Sequence, residues 1–307
     1  MSLPFSGIAT FAHVPLDDPA RSPAPQAAVL GIPTDEGTTQ HPGARYGPRA
    51  IREASTQFSY AKRGRGYYDP ERDRPMLASL ELRDAGDVDL VPTLCEENAR
   101  RIAERVQGLL ARGIFPVCLG GDHSVTPCVL RAFAGHPLHL VQIDAHMDFV
   151  DRLQGAAFTH ASPMRRAREL PQVQSLTQVG IRSIVSGAED YQAAREMGNR
   201  IVTTAQILEA PGHDWWADLA GTAYLTLDID AFDPSAAPGT GFPEPGGLQY
   251  RDVVRLVRGL SRRLRLCGMD LVEVNPYLDA SHRTALLAVR MILEVLSCVF
   301  DPPTDDR

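Results

Sequence analysis

Compact apolar runs alternate along the chain with amphipathic stretches and turn-rich polar segments. The first run, Ala27-Ala28-Val29-Leu30-Gly31-Ile32, is closed by Pro33 and predicts a buried strand. Asp84 to Val88 predicts the chain's return to the sheet. Glu96 to Ala111 then carries Ile102, Val106, Leu109 and Leu110 at helical spacing. A helix there would cross back to a strand over Ile114 to Leu119, completing a βαβ unit. Further strands are predicted over Leu138 to Ile143, Val173 to Ile181, Ile201-Val202, Leu225 to Ile229 and Leu266 to Val274. Helices are predicted from Pro48, over Val125 to Phe133, from Met164, over Tyr250 to Leu264 and over His282 to Phe300. The alternation implies a layered α/β domain around a mainly parallel sheet of about eight strands. Residues 1–26, rich in Pro and Ala, read as an irregular arm, and residues 27–307 as a single domain. Residues 58–82 read as a long excursion, and the breakers between Pro238 and Gly247 as a fixed irregular loop.

Composition narrows the function classes. A chain of 307 residues with 44% apolar and 22% charged residues buries a substantial core. Its net charge of -7 gives no reason to expect a nucleic-acid partner. Five scattered cysteines without CxxC spacing argue against a disulfide framework or a thiolate zinc site. The start has no basic leader followed by an apolar core, and no stretch reaches membrane-spanning length. A cytoplasmic protein without a membrane partner is the expectation. The segment Pro42 to Ala54 lacks the GxxxxGK[ST] pattern of a phosphate loop, and its arginines read as salt-bridge formers.

Three polar clusters close three of the predicted strands: Gly120-Gly121-Asp122-His123-Ser124, Asp144-Ala145-His146-Met147-Asp148 and Asp228-Ile229-Asp230. The carboxyl ends of strands are where open α/β sheets place their chemistry. Alternate residues of an extended strand end share a face, so each triplet can converge. Buried carboxylates are costly alone, and divalent cations offset that cost. His123, Asp144, His146, Asp148, Asp228 and Asp230 are too many ligands for one zinc but suit two metals sharing carboxylates. Imidazole weighs against magnesium alone and leaves manganese, zinc, nickel or cobalt. Such a pair activates water near neutral pH, which points to hydrolysis.

The same motifs resemble those of the ureohydrolases, the arginase and agmatinase family, and lie nearer the agmatinase-type branch. The likeness spans most of residues 27–300. It extends to Pro42-Gly43-Ala44-Arg45-Tyr46-Gly47-Pro48-Arg49, Asp233-Pro234, Pro238-Gly239-Thr240-Gly241, Glu273-Val274-Asn275-Pro276 and Thr284-Ala285-Leu286. It implies a three-layer α/β/α sandwich, a binuclear manganese centre, with nickel or cobalt as alternatives, and a homotrimer or homohexamer. It places His123, Asp144, Asp148 and Asp228 on one metal and His146, Asp144, Asp228 and Asp230 on the other. It also assigns Glu273 to the guanidinium, Asp148 to water and proton transfer, and His160 to proton relay at the substrate entrance.

The implied reaction releases urea and an amine from a guanidino compound. Agmatine, giving putrescine, is the first expectation. Guanidinobutyrate, guanidinopropionate and smaller guanidines or biguanides are the alternatives, with Arg45, Arg152 or Arg165 available to a carboxylate tail. Phe149 and Val150 stand where arginases carry amino-acid-recognising polar groups, which disfavours arginine. Ala161 follows His160 where many relatives have glycine. Two rival readings are hydrolysis of another C–N or acyl bond at the same centre, and a noncatalytic family subunit that needs a partner.

Overall fold

The computed structural model describes residues 3–20, 23–59 and 66–301. Its strands are β1 (Ala27–Ile32), β2 (Tyr67–Asp69), β3 (Arg74–Met76), β4 (Leu82–Asp87), β5 (Phe115–Gly120), β6 (Leu138–Ile143), β7 (Val173–Ile181), β8 (Arg200–Thr203), β9 (Gly221–Asp228) and β10 (Leu264–Val272). Eight of them form one sheet in the order β4-β1-β5-β10-β9-β6-β7-β8, and every neighbouring pair is parallel. Only β2 and β3 pair apart, as an antiparallel hairpin.

Alternation along each strand divides the core. Val29, Val117, Val141, Leu225 and Leu271 face one layer, with Ile51, Val253, Val257, Ala288 and Ile292. Those partners lie on α1 (Gly47–Ser55), α7 (Tyr250–Arg263) and α8 (Arg283–Phe300). Leu30, Cys118, Leu140 and Tyr224 face the other layer, with Ile102, Val106, Val129 and Met164. These come from α2 (Cys95–Leu110), α3 (Val125–Leu130) and α4 (Pro163–Arg168). Helices on both faces explain why the parallel strands read as nearly continuous apolar runs. The three-layer α/β/α architecture is the one the resemblance implied.

Several local details differ from expectation. The helix from Val125 ends at Leu130 and tightens to a 3-10 turn over Arg131–Phe133. The strand leading to Val274 stops at Val272, because Glu273 takes a left-handed φ of 65°. Helices α5 (Ala188–Glu196) and α6 (Thr204–Glu209) were not anticipated. Ala194 is the single buried residue of α5, so it leaves no apolar stripe to read. Helix α6 does carry a legible start, a capping box between Thr203 and Gln206. The excursion over 58–82 contains the β2-β3 hairpin, while Tyr60 lies outside the described residues. The N-terminal arm packs on the body: Phe11 and Val14 are buried, and the Phe11 amide donates to the Asp84 carboxylate at 2.8 Å. Among the described residues, no helix is long and apolar enough to cross a membrane.

Candidate metal centre

Sheet order brings the polar clusters together. The four central neighbours β5, β10, β9 and β6 all end at the same edge. Asp122 and His123 follow β5, Glu273 follows β10, Asp228 and Asp230 close β9, and Asp144, His146 and Asp148 follow β6. Close approach at the first turn requires glycine. A Cβ on Gly121 would meet the Thr34 carbonyl oxygen at 1.9 Å.

Short local hydrogen bonds then aim the carboxylates. Asp144 accepts from the His146 amide at 2.6 Å, and Asp228 accepts from the Asp230 amide at 2.9 Å. Asp230 in turn accepts from the Ala145 amide at 3.2 Å, which ties the ends of β6 and β9. Asp148 has a left-handed φ of 50°. Such a conformation is uncommon outside glycine and clusters at functional sites.

His123 Nδ1 lies 3.1 Å from Asp144, 2.9 Å from Asp148 and 3.1 Å from Asp228, yet makes no hydrogen bond. His146 Nδ1 lies 2.9 Å from Asp230 and 3.6 Å from Asp144. One imidazole nitrogen cannot satisfy three carboxylates, whereas a cation between them can. Two groups of potential ligands result, His123 with Asp144, Asp148 and Asp228, and Asp144 with His146 and Asp230. Asp144 is common to both, and all six residues are buried.

The electrostatics describe a cluster short of positive charge. Burial, reinforced by Asp230 and Asp144, raises the Asp228 carboxyl well above its ordinary range. Asp148 is pushed up to about 6, by burial and then by Asp144. Burial alone would lower both imidazoles, but neighbouring carboxylates prevail. His123 rises well above its ordinary value beside Asp144, Asp148 and Asp228, and His146 is pushed up to about 12 by Asp230 and Asp144. Protons would be drawn in where countercharge is lacking, and divalent cations meet the same demand.

Behind the candidate ligands stand buried groups that sequence reasoning did not identify. Thr226 donates its hydroxyl proton to Asp270, which also accepts from Tyr224 at 3.1 Å. Thr226 Oγ1 is therefore the acceptor for His123 Nε2 at 2.9 Å, so in the neutral imidazole it is Nδ1 that carries the lone pair and faces the carboxylates. A visible signal was Asp270 itself, an acid between Met269 and Leu271 in an apolar run. Asn199 donates to Gln178, Gln178 to Gln142, and Gln142 to Asp144 at 2.6 Å. Arg182 donates to the carbonyls of Asp230, Ala231, Phe232, Glu244 and Pro245, fixing the breaker-rich loop beside β7. No local pattern marks Arg182 for that role.

Glu273 and His160 share the cavity with the cluster. Glu273 Oε1 accepts from the His123 amide at 2.9 Å and lies 3.4 Å from His160 Nδ1. His160 Nε2 lies 2.7 Å from Thr39 Oγ1, and the His160 amide donates to the Gly37 carbonyl. Asp122 holds that loop by accepting from the Gly37 amide at 2.7 Å. Ala161 lies outside the left-handed region, so alanine is accommodated without backbone strain. The arginines of this segment form salt bridges: Arg45 with Asp35, Arg49 with Glu53, and Arg52 with Asp84 and Asp87.

This geometry accompanies similarity along nearly the whole chain. The model of the arginase family matches residues 25–298. The chain belongs to the arginase family. It is 38% identical to a guanidinopropionase of Pseudomonas aeruginosa over 302 residues, covering 95% of this chain and 92% of the relative. It is 36% identical to an agmatinase of Bacillus subtilis, covering 88% and 90%. The solved structure of proclavaminate amidino hydrolase from Streptomyces clavuligerus superposes with a TM-score of 0.84 at 32% identity, covering 98% of this chain and all of that one. The arginase-family chain is thus a hydrolase of linear guanidino compounds, in a family built on a binuclear metal centre.

Proposed function

We propose that the chain hydrolyses an N-alkylguanidino compound to urea and an amine at a two-manganese centre held by His123, Asp144, His146, Asp148, Asp228 and Asp230. The observation that carries this reading is the convergence of three carboxylates on one unbonded imidazole nitrogen, in the same cavity as Glu273. Asp144 and Asp228 are the proposed shared ligands. Divalent ions bound there supply Lewis acidity and lower the pKa of water towards neutrality.

The chain's own groups supply orientation and proton traffic. The Glu273 carboxylate, anchored through one oxygen to the His123 amide, offers its other oxygen to guanidinium N–H groups. Its left-handed backbone holds it towards the cavity from the end of β10. Asp148 accepts a proton from the attacking water and passes it to the departing nitrogen. His160, between Glu273 and Thr39, serves the second transfer. Water oxygen forms the new bond to the guanidinium carbon, the bond from that carbon to the alkyl-bearing nitrogen breaks, and alkylammonium and urea leave.

Agmatine is the candidate supported by the agmatinase relative, and guanidino acids by the guanidinopropionase relative at similar identity. A homotrimer or homohexamer in the cytoplasm is the proposed setting. The test is urea release by protein loaded separately with manganese, nickel and cobalt, across agmatine, guanidinobutyrate, guanidinopropionate, arginine, guanidine and a biguanide. Urea and amine in equal amounts from a guanidino compound are expected. Ammonia without urea from the preferred substrate would overturn the reaction assignment.

A further inference from the structure

The cavity above the cluster, about 240 Å³, has a polar floor and an apolar mouth. The floor carries His146, Asp148, Asp228, Asp230 and Glu273; Val150, Leu153, Ala161, Val185 and Phe242 form much of the mouth. Phe242 joins the two, with its ring edge-on to His146 at 5.4 Å and to His160 at 6.5 Å between centroids. Val185 is 59% exposed at the rim, beside Ile184 at 91%. Thr39 and Ser186 are uncharged, and His160, the remaining lining residue, has both ring nitrogens engaged, by Glu273 at 3.4 Å and by Thr39 at 2.7 Å.

The arginines that the sequence offered to a tail carboxylate are engaged elsewhere. Arg45 pairs with Asp35, Arg152 donates to the Gly155 carbonyl at 3.0 Å, and Arg165 lies over the Phe149 ring at 5.3 Å. Among the described residues, every carboxylate lining the cavity belongs to the ligand cluster or is Glu273.

We infer that the collar of Val150, Leu153, Val185 and Phe242 selects an uncharged aliphatic tail, so that the substrate class is the simple N-alkylguanidines. This rests on the hydrolase reading above and names the part of the substrate that reading leaves open. Each methylene moved from water onto the collar is worth about four-fold in binding. An ammonium or carboxylate at the same depth loses hydration without a countercharge from the mouth. The net charge of -7 acts from the outer surface and does not replace a local partner.

The test compares kcat/KM for urea release from ethylguanidine, butylguanidine, agmatine and guanidinobutyrate on metal-loaded enzyme. Butylguanidine should exceed both charged four-carbon compounds by about ten-fold or more, and ethylguanidine by roughly 16-fold for its two extra methylenes. Calorimetric binding of the products should follow the same order, with butylamine tighter than putrescine or 4-aminobutyrate. Val185→Asp, at an exposed position that folding tolerates, should raise the agmatine-to-butylguanidine ratio about ten-fold, and Leu153→Asp should act in the same direction. Urea release that favours agmatine or guanidinobutyrate would overturn the tail assignment and leave the hydrolase reading standing. Unchanged ratios in both aspartate variants would also overturn it. Absence of urea from all four compounds, with two metal ions bound per chain, would overturn the hydrolase reading and the tail assignment with it.

Discussion

Two regions of the molecule bury carboxylates in opposite ways. Under the N-terminal arm, Asp84 is 1% exposed and meets the Arg52 guanidinium through two bonds, at 2.8 and 2.9 Å. Glu294, 2% exposed, is met by Arg72, Arg258, Arg290 and the Tyr250 hydroxyl. At the ends of β6 and β9, Asp144, Asp148, Asp228 and Asp230 share only two imidazoles. In the first pattern the chain supplies its own arginine partners. The second leaves carboxylates in excess of imidazoles, the arrangement that could hold metal ions, and this difference separates buried charge that holds a fold from buried charge suited to chemistry.

The comparison predicts opposite responses to mutation. The largest effect belongs to Asp144→Asn and Asp228→Asn, each expected to lower metal content per chain and reduce kcat/KM by more than about 100-fold. After chelation, Asp228→Asn should melt above equally chelated wild type, because it removes a carboxylate already disfavoured by burial, Asp230 and Asp144. Elemental analysis and melting curves check both points, and normal metal content in both variants would refute the shared-ligand roles. Arg52→Ala should act with the opposite sign and lose about 3–5 kcal/mol in denaturant titration, since it strands Asp84. That loss should be the same with and without chelator.

A smaller effect tests the support behind His123. Asp270→Asn should weaken metal affinity about 10–100-fold while far-ultraviolet dichroism stays native, because Thr226 no longer has an anionic acceptor. Metal titration reads this directly, and unchanged affinity would make the Asp270 network merely structural.

The smallest expected effect lies at the start of α8. Asp279 accepts from the Ser281 amide at 3.0 Å and the Thr284 amide at 2.8 Å. Burial alone would raise its pKa, but bonds from Ser281 and Thr284 hold it at about 2. A depressed carboxyl stabilises fully above its ordinary value near 3.8, and that contribution is lost as pH falls towards about 2. Asp279→Ala should cost about 1 kcal/mol at neutral pH, with the gap to wild type closing across that acid window.

The candidate ligands were legible because their cue is local. Alternate spacing in Asp144-Ala145-His146-Met147-Asp148 and in Asp228-Ile229-Asp230 puts side chains on one face whatever the rest of the chain does. Most strands were legible for the same reason, being apolar runs bounded by breakers. Helix α5 was not, because it buries only Ala194 and leaves no stripe. Arg182 looked like any polar residue after a strand, although its guanidinium holds six carbonyls. The apolar mouth was equally hidden, since Val150 and Leu153 come from one loop and Val185 and Phe242 from two others.

The sequence by itself determined the element types, the hard and borderline character of the candidate ligand set and its placement at strand ends, all through short-range periodicity and side-chain chemistry. Only the tertiary structure decided which strand ends became neighbours. β10 enters the sheet between β5 and β9, which sets Glu273 beside His123 across 150 positions of chain and Thr226 behind His123 across 103. Strand order is fixed by how whole faces pack against helices, a long-range outcome that the local period of two does not encode.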